Sequence, residues 1–160
     1  SDNGKILNEN NIEFNRFIKK YPNNYELTKT RITKLVYLVD WESALMTREQ
    51  ITDIDWYFDH YGPYVSDVFD TADEDSELAI VEKVSNFGTK KYVVEAKAGK
   101  DNLIIDLDKS EESIIDKVID KTKNMNWNEF IDYVYSTFPI VNSEKYGVLN
   151  LVKLAEEYQK

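Results

Sequence analysis

A single histidine, His60, and no cysteine leave this chain few side chains that could do chemistry near neutral pH. His60 follows Asp53, Asp55 and Asp59 in the run ITDIDWYFDHY. A histidine steered by a carboxylate is the ordinary form of a general base. The spacing argues against that role. Strand neighbours point to opposite faces, so Asp59 and His60 diverge. No serine or cysteine sits in a recognisable nucleophile turn. The plainer reading is a partly buried histidine on the apolar side of a strand, and no catalytic residue is assigned.

Asp53, Asp55 and Asp59 share the other face of the same strand. Carboxylates two residues apart could hold a hard cation or act as an acid and base pair. The run has neither the loop spacing nor the turning glycine of a calcium loop, so no metal ligand and no cofactor is expected. A solvated strand face is the plain alternative. A third reading uses Tyr57 and Tyr61, which interleave with the acids. Rigid aromatic area beside charge suits a protein interface. Asp53, Asp55, Tyr57, Asp59 and Tyr61 are therefore the candidate partner-binding residues, with Asp40 and Trp41 as nearby additions.

Asp40 breaks the apolar run LVYLV-D-WESAL. Either it is buried and paired with Lys34, Arg31 or a tyrosine hydroxyl, or it lies on a thin polar stripe with Thr33, Tyr37, Ala44 and Thr47. Lys29, Arg31 and Lys34 read as a solvated helix start. No Walker loop, dinucleotide fingerprint, HExxH or kinase signature occurs.

These side chains need a scaffold, and composition bounds it. The 160 residues fit one domain over 1–160. A chain of this size buries roughly 70% of the surface its unfolded form exposes, so it needs no disulfide or metal to hold a core. The absence of cysteine fits a cytoplasmic protein. The start, SDNGKILNENN, lacks a basic segment followed by an apolar one, so no secretory leader is expected. The longest apolar run, LVYLV, is far short of a membrane span. A net charge of −10 repels phosphate backbones and suits a basic protein partner, although solubility alone would also explain it. The acidic run from Asp70 to Glu77 could mimic phosphates, but it reads more simply as an exposed loop.

Periodicity predicts the elements. Asn8 to Tyr21 reads as a helix ended by Pro22. Thr28 caps a long helix to about Thr47. Ile32, Val36, Val39 and Met46 make one apolar stripe of it, and Leu35, Leu38 and Leu45 make another. Apolar cover on more than one face marks a central helix. Ile51 to Tyr61 alternates like a strand, with Ile54, Trp56, Phe58 and His60 inward. Gly62 allows a sharp turn, and Pro63 suits the first position of a short helix bearing Tyr64, Val65, Val68 and Phe69. Leu78–Val84 and Tyr92–Lys97 predict a hairpin around Gly88. A helix over Asp75–Val84 is the alternative there. Leu103–Leu107 adds a short piece. Ser110 caps a helix over Glu111–Lys123, with Ile114, Ile115, Val118 and Ile119 inward. Asn126 and Glu129 form a capping box for Trp127–Tyr135. Val148–Tyr158 is a closing amphipathic helix.

The helix carrying Lys34-Leu35-Val36-Tyr37-Leu38, followed by an aromatic strand ending in Tyr61-Gly62-Pro63, resembles the Panacea domain of the SocA-like antitoxin family. Tyr135-Ser136-Thr137-Phe138-Pro139 is similar to a late element of that family. The resemblance implies that Lys34, Leu35, Tyr37, Leu38, Gly62 and Pro63 are structural motif positions. It also implies a module that neutralises a cognate protein toxin by direct contact, by blocking it or as an adaptor to a protease. No nucleic acid and no membrane is expected as partner. The expected fold is α+β: a mostly helical single domain with a small antiparallel sheet, formed by the strand at Ile51 and the hairpin after Leu78. The alternative function is an acidic phage or mobile-element protein that mimics DNA and inhibits a host nuclease. A carboxylate-based hydrolase or metal enzyme is a third option.

Overall fold

Every residue from Arg31 to Trp41 is buried in the computed structural model, which describes residues 27–64, 78–84, 88, 90–96 and 109–160. They belong to α1, Lys29–Thr47. Thr28 caps it, its hydroxyl accepting from the Arg31 N–H at 3.1 Å. Arg48 ends it in the left-handed region at φ 65°, its N–H donating to the Ala44 carbonyl. A helix buried on all sides needs neighbours all round. They are α2 (Lys109–Thr122), α5 (Leu151–Tyr158) and a three-stranded sheet. The core unites Ile32, Leu35, Val36, Leu38 and Val39 with Ile114, Ile115, Val118 and Ile119 of α2 and with Leu151 and Ala155 of α5. Met46 leaves the expected apolar stripe, being 58% exposed near the end of α1.

The architecture is α+β and mostly helical. β1 (Trp56–Asp59) is the centre of an antiparallel sheet ordered β2-β1-β5. β2 is Gly62–Tyr64 and β5 is Gly147–Leu149. β3 (Leu78–Val84) and β4 (Lys90–Ala96) pair as a separate hairpin, from Leu78 opposite Ala96 to Val84 opposite Lys90. The expected joint sheet of aromatic strand and hairpin is thus two sheets. The segment from Leu78 is a strand and not a helix. Between α2 and β5 lie α3 (Trp127–Tyr135) and the single turn α4 (Phe138–Val141). The α3 capping box forms as expected, with the Asn126 side chain accepting from the Glu129 N–H and the Glu129 side chain from the Asn126 N–H. No helix among the described residues is long and apolar enough to cross a membrane.

Four boundaries depart from expectation, three of them for identifiable reasons. The strand begins at Trp56 and not at Ile51. Upstream, side chains take the backbone groups that a ladder would need. The Ile51 and Thr52 N–H groups donate to Asp40, and the Thr52 and Ile54 carbonyls accept from the Gln50 amide. Pro63 does not start a helix; it lies in β2 opposite Phe58. β2 is an edge strand, where a missing N–H is tolerated. Gly147 to Leu149 is strand, since β1 has a second edge to pair, and the helix starts after Asn150, which accepts from the Lys153 N–H at 3.1 Å. Ser110 lies inside α2, which begins at Lys109. The expected helix at Asn8–Tyr21, the residues Val65 to Phe69, the acidic run Asp70–Glu77 and the piece at Leu103–Leu107 lie outside the described residues.

Candidate partner-binding surface

β1 alternates as its sequence requires. Trp56 and Phe58 point into the core, and Tyr57 points out. The register sets Tyr57 opposite Tyr64 on one side and opposite Val148 on the other. Opposed residues of an antiparallel pair share a face. The sheet therefore presents the row Tyr64–Tyr57–Val148, exposed at 38%, 37% and 75%. Asp53 and Asp55 are exposed in the segment before β1, Asp59 is half-buried at the strand end, and Tyr61 is exposed on the turn. Of the five candidate residues, Tyr57 and Asp59 lie in β1, Asp53 and Asp55 precede it, and Tyr61 follows it. Tyr64 and Val148 were missed because both were assigned to helices. Only the cross-strand register brings them beside Tyr57.

His60 is not inward. It is exposed on the turn, with its ring edge-on to Tyr61 at 4.5 Å and its Nδ1 3.3 Å from the Tyr146 hydroxyl. The strand ends at Asp59, so the alternation that would have turned His60 inward stops there. Tyr146 itself sits at φ 67°, and its N–H donates to the Phe58 carbonyl at 2.6 Å.

The turn is fastened to α3. Gly62 has φ 98°, a region that side-chain-bearing residues rarely adopt. A Cβ there would stand 2.7 Å from the Tyr135 ring. That ring is held in place, because the Tyr135 hydroxyl donates to the Tyr61 carbonyl at 2.9 Å.

Asp40 and Trp41 leave the candidate surface, since both are buried in α1. Trp41 stacks on Phe138 and meets Tyr158 edge-on. Asp40 is fully enclosed and, among the described residues, pairs with neither lysine nor arginine. Its carboxylate accepts from the Ile51 and Thr52 N–H groups, the Thr52 hydroxyl, the Trp56 indole at 2.9 Å and, longer, the Gln50 amide. Burial raises its pKa to about 6, against the pull of those hydrogen bonds. Asp40 thus locks the incoming strand to α1. A buried acid among apolar residues was the available signal, but its partners lie beyond the helix.

The motif positions on α1 divide. Leu35 and Leu38 are core. Tyr37 is buried edge-on against Trp56, with its hydroxyl 2.8 Å from that of Thr137. Arg31 and Lys34 are buried, not solvated. The Arg31 guanidinium lies over the Trp127 and Phe130 rings at 5.4 and 5.0 Å. Such cover lets a cation sit in a core, through attraction to the ring faces. Lys34 lines a cavity of about 400 Å³ together with Asp59, Tyr61, Tyr64, Trp127 and Tyr135.

Comparison with curated proteins and with solved structures gives no match. A family model described as antitoxin SocA-like, Panacea domain, matches residues 32–138. That span exceeds half of the chain and runs from α1 through the Asp40 lock, the Gly62 turn and Tyr135 to the start of α4. The description supports an antitoxin role and, with it, a protein toxin as the general kind of partner. By its sequence from Ile32 to Phe138, the chain belongs to the SocA-like antitoxin family and carries a Panacea domain.

Proposed function

We propose that the protein is an antitoxin that neutralises a cognate protein toxin by direct binding through the outer face of its three-stranded sheet. The residues assigned to that contact are Asp53, Asp55, Tyr57, Asp59 and Tyr61, joined by Tyr64 and Val148. The observation that carries the reading is the exposed row Tyr64–Tyr57–Val148 on a scaffold whose other face is packed into the core. Aromatic side chains on a rigid sheet lose little entropy on binding and are the usual anchors of interfaces. The flanking acids and the net charge of −10 suit a basic toxin. A standard interface covers roughly 800 Å² per partner, so the contact extends beyond this row to the turns that carry Tyr61 and Tyr146. Such a contact serves simple occlusion of the toxin and equally its delivery to a protease.

The test is binding of the protein encoded next to this chain, with rescue of growth from its toxicity. Tyr57→Ala is expected to speed dissociation, by about 2 kcal/mol if the ring is an anchor. Asp53→Lys is expected to slow association, with the effect fading at high salt. If both variants bind like the parent, the sheet face is not the interface. If the parent neither binds nor rescues, the antitoxin reading fails for that neighbour.

A further inference from the structure

Lys34 is 3% exposed on a helix whose neighbouring residues, Thr33 and Leu35, are buried too. Burying an ammonium is costly unless an opposite charge or acceptor compensates. Among the described residues nothing offsets it. Desolvation is what perturbs Lys34, lowering its pKa to about 8, and among the described residues no carboxylate or hydrogen bond is seen to act against it. The side chain lines the cavity between α1, the Gly62 turn and α3. Exposed rings surround it: Tyr61, Tyr64, Trp127 and Tyr135 all line the cavity and all keep open surface. Asp59 is the only carboxylate among the described lining residues.

This arrangement selects a ligand class. A single lysine balances a single negative charge. A dianion would leave excess charge near Asp59, within a protein whose net charge is already −10. Aromatic walls favour a flat apolar body, through stacking and area burial. A volume of about 400 Å³ is at the small end for ligand sites and suits one ring with a short arm. We propose that this cavity binds a small organic monocarboxylate, its carboxylate on Lys34 Nζ and its apolar ring against Trp127 and the tyrosines. The site goes beyond the antitoxin reading and needs no toxin to be occupied.

The test uses the full chain with ¹⁵N-labelled lysine, titrated with phenylacetate, phenylacetamide and phenyl phosphate, following the Lys34 ammonium signal by NMR. The Lys34 signal is expected to move saturably with phenylacetate. The neutral amide should bind roughly tenfold or more weakly, the usual loss of a hydrogen bond to a charged group. Lys34→Met, checked for an intact thermal transition, should bind acid and amide alike. Trp127→Ala, at an exposed position, should weaken acid and amide together and keeps the proposal testable if Lys34→Met does not fold. The proposal is overturned by the absence of saturation with phenylacetate, by equal binding of acid and amide to the parent, or by undiminished binding of the acid to Lys34→Met or to Trp127→Ala. Tighter binding of phenyl phosphate than of phenylacetate overturns the monocarboxylate assignment. Toxin rescue does not enter these readouts, so failure here leaves the antitoxin reading untouched.

Discussion

Asp40 and Lys34 sit on the same helix, both buried, and their surroundings differ completely. Asp40 is closed in by donors from Gln50, Ile51, Thr52 and Trp56. Lys34 faces a cavity ringed by tyrosines and a tryptophan. A buried charge whose hydrogen bonds are all met inside the protein holds the fold together. One that opens onto a cavity leaves interaction energy available to something outside. The Asp40 end of α1 is therefore a structural lock, and the Lys34 end is a recognition site in waiting.

The largest effect should come from breaking the lock. Asp40→Ala leaves the Ile51 and Thr52 N–H groups and the Trp56 indole without their acceptor in a buried place. Each such orphan costs about 1–3 kcal/mol, so a loss of about 4 kcal/mol is expected in denaturant melts. A loss under about 1 kcal/mol would show that water replaces the carboxylate, and the contrast with Lys34 would collapse.

The Gly62 turn ties the cavity wall to α3, and Gly62→Val should be next in size. It combines a disfavoured φ with a clash on the Tyr135 ring. A cost of about 3 kcal/mol is expected. In the double variant Gly62→Val with Tyr135→Ala the clash is gone and the backbone strain stays, so the two costs should be less than additive. Strict additivity would mean that the two sites do not touch in solution.

Lys34→Met should raise stability at pH 7, by roughly 1–3 kcal/mol, because it removes a desolvated charge. The sign can be checked by pH. Lys34 has a folded pKa of about 8 against an ordinary value of 10.5, so the unfolded chain binds more protons between them. Parent stability should rise with pH across that window, and Lys34→Met should flatten the rise. Asp40 acts oppositely, its folded pKa of about 6 lying above the ordinary 3.8. Its contribution is fully present below about pH 3.8 and is lost as pH rises through 6. Matching slopes for parent and Lys34→Met above pH 8 would return Lys34 to solvent.

His60→Ala should do least. The ring is exposed, and its contact with Tyr146 is long at 3.3 Å. A change within about 0.5 kcal/mol is expected, with toxin rescue retained. Lost rescue in a folded, abundant variant would move the functional centre to the turn.

Much of this was legible from local pattern. Thr28 as a cap, the apolar cover of α1, the Asn126–Glu129 box and the inward set of α2 depend on residues a few positions apart. Gly62 was legible for the same reason, since the demand for positive φ is local. The boundaries that failed involve partners far along the chain. Asp40 reaches across to residues 50–56, and the strand starts late. β1 recruits Gly147–Leu149 from far along the chain, turning the start of an amphipathic helix into an edge strand. Pro63 carries the same preference for a helix start and for an edge strand, and only the pairing with Phe58 decides between them.

The sequence by itself determined that α1 is central, that Tyr57 and Phe58 face opposite ways and that the Tyr61-Gly62-Pro63 corner turns sharply. These follow from periods of 3.6 and 2 residues and from glycine's freedom, which need no knowledge of the rest of the chain. Only the tertiary structure decided that Arg31 and Lys34 are buried, that Asp40 is a lock and not a surface group, and that Tyr64 and Val148 join Tyr57 in one row. The physical reason is that a side chain's polarity states what environment it needs, while the partner that supplies or withholds that environment comes from elsewhere in the fold.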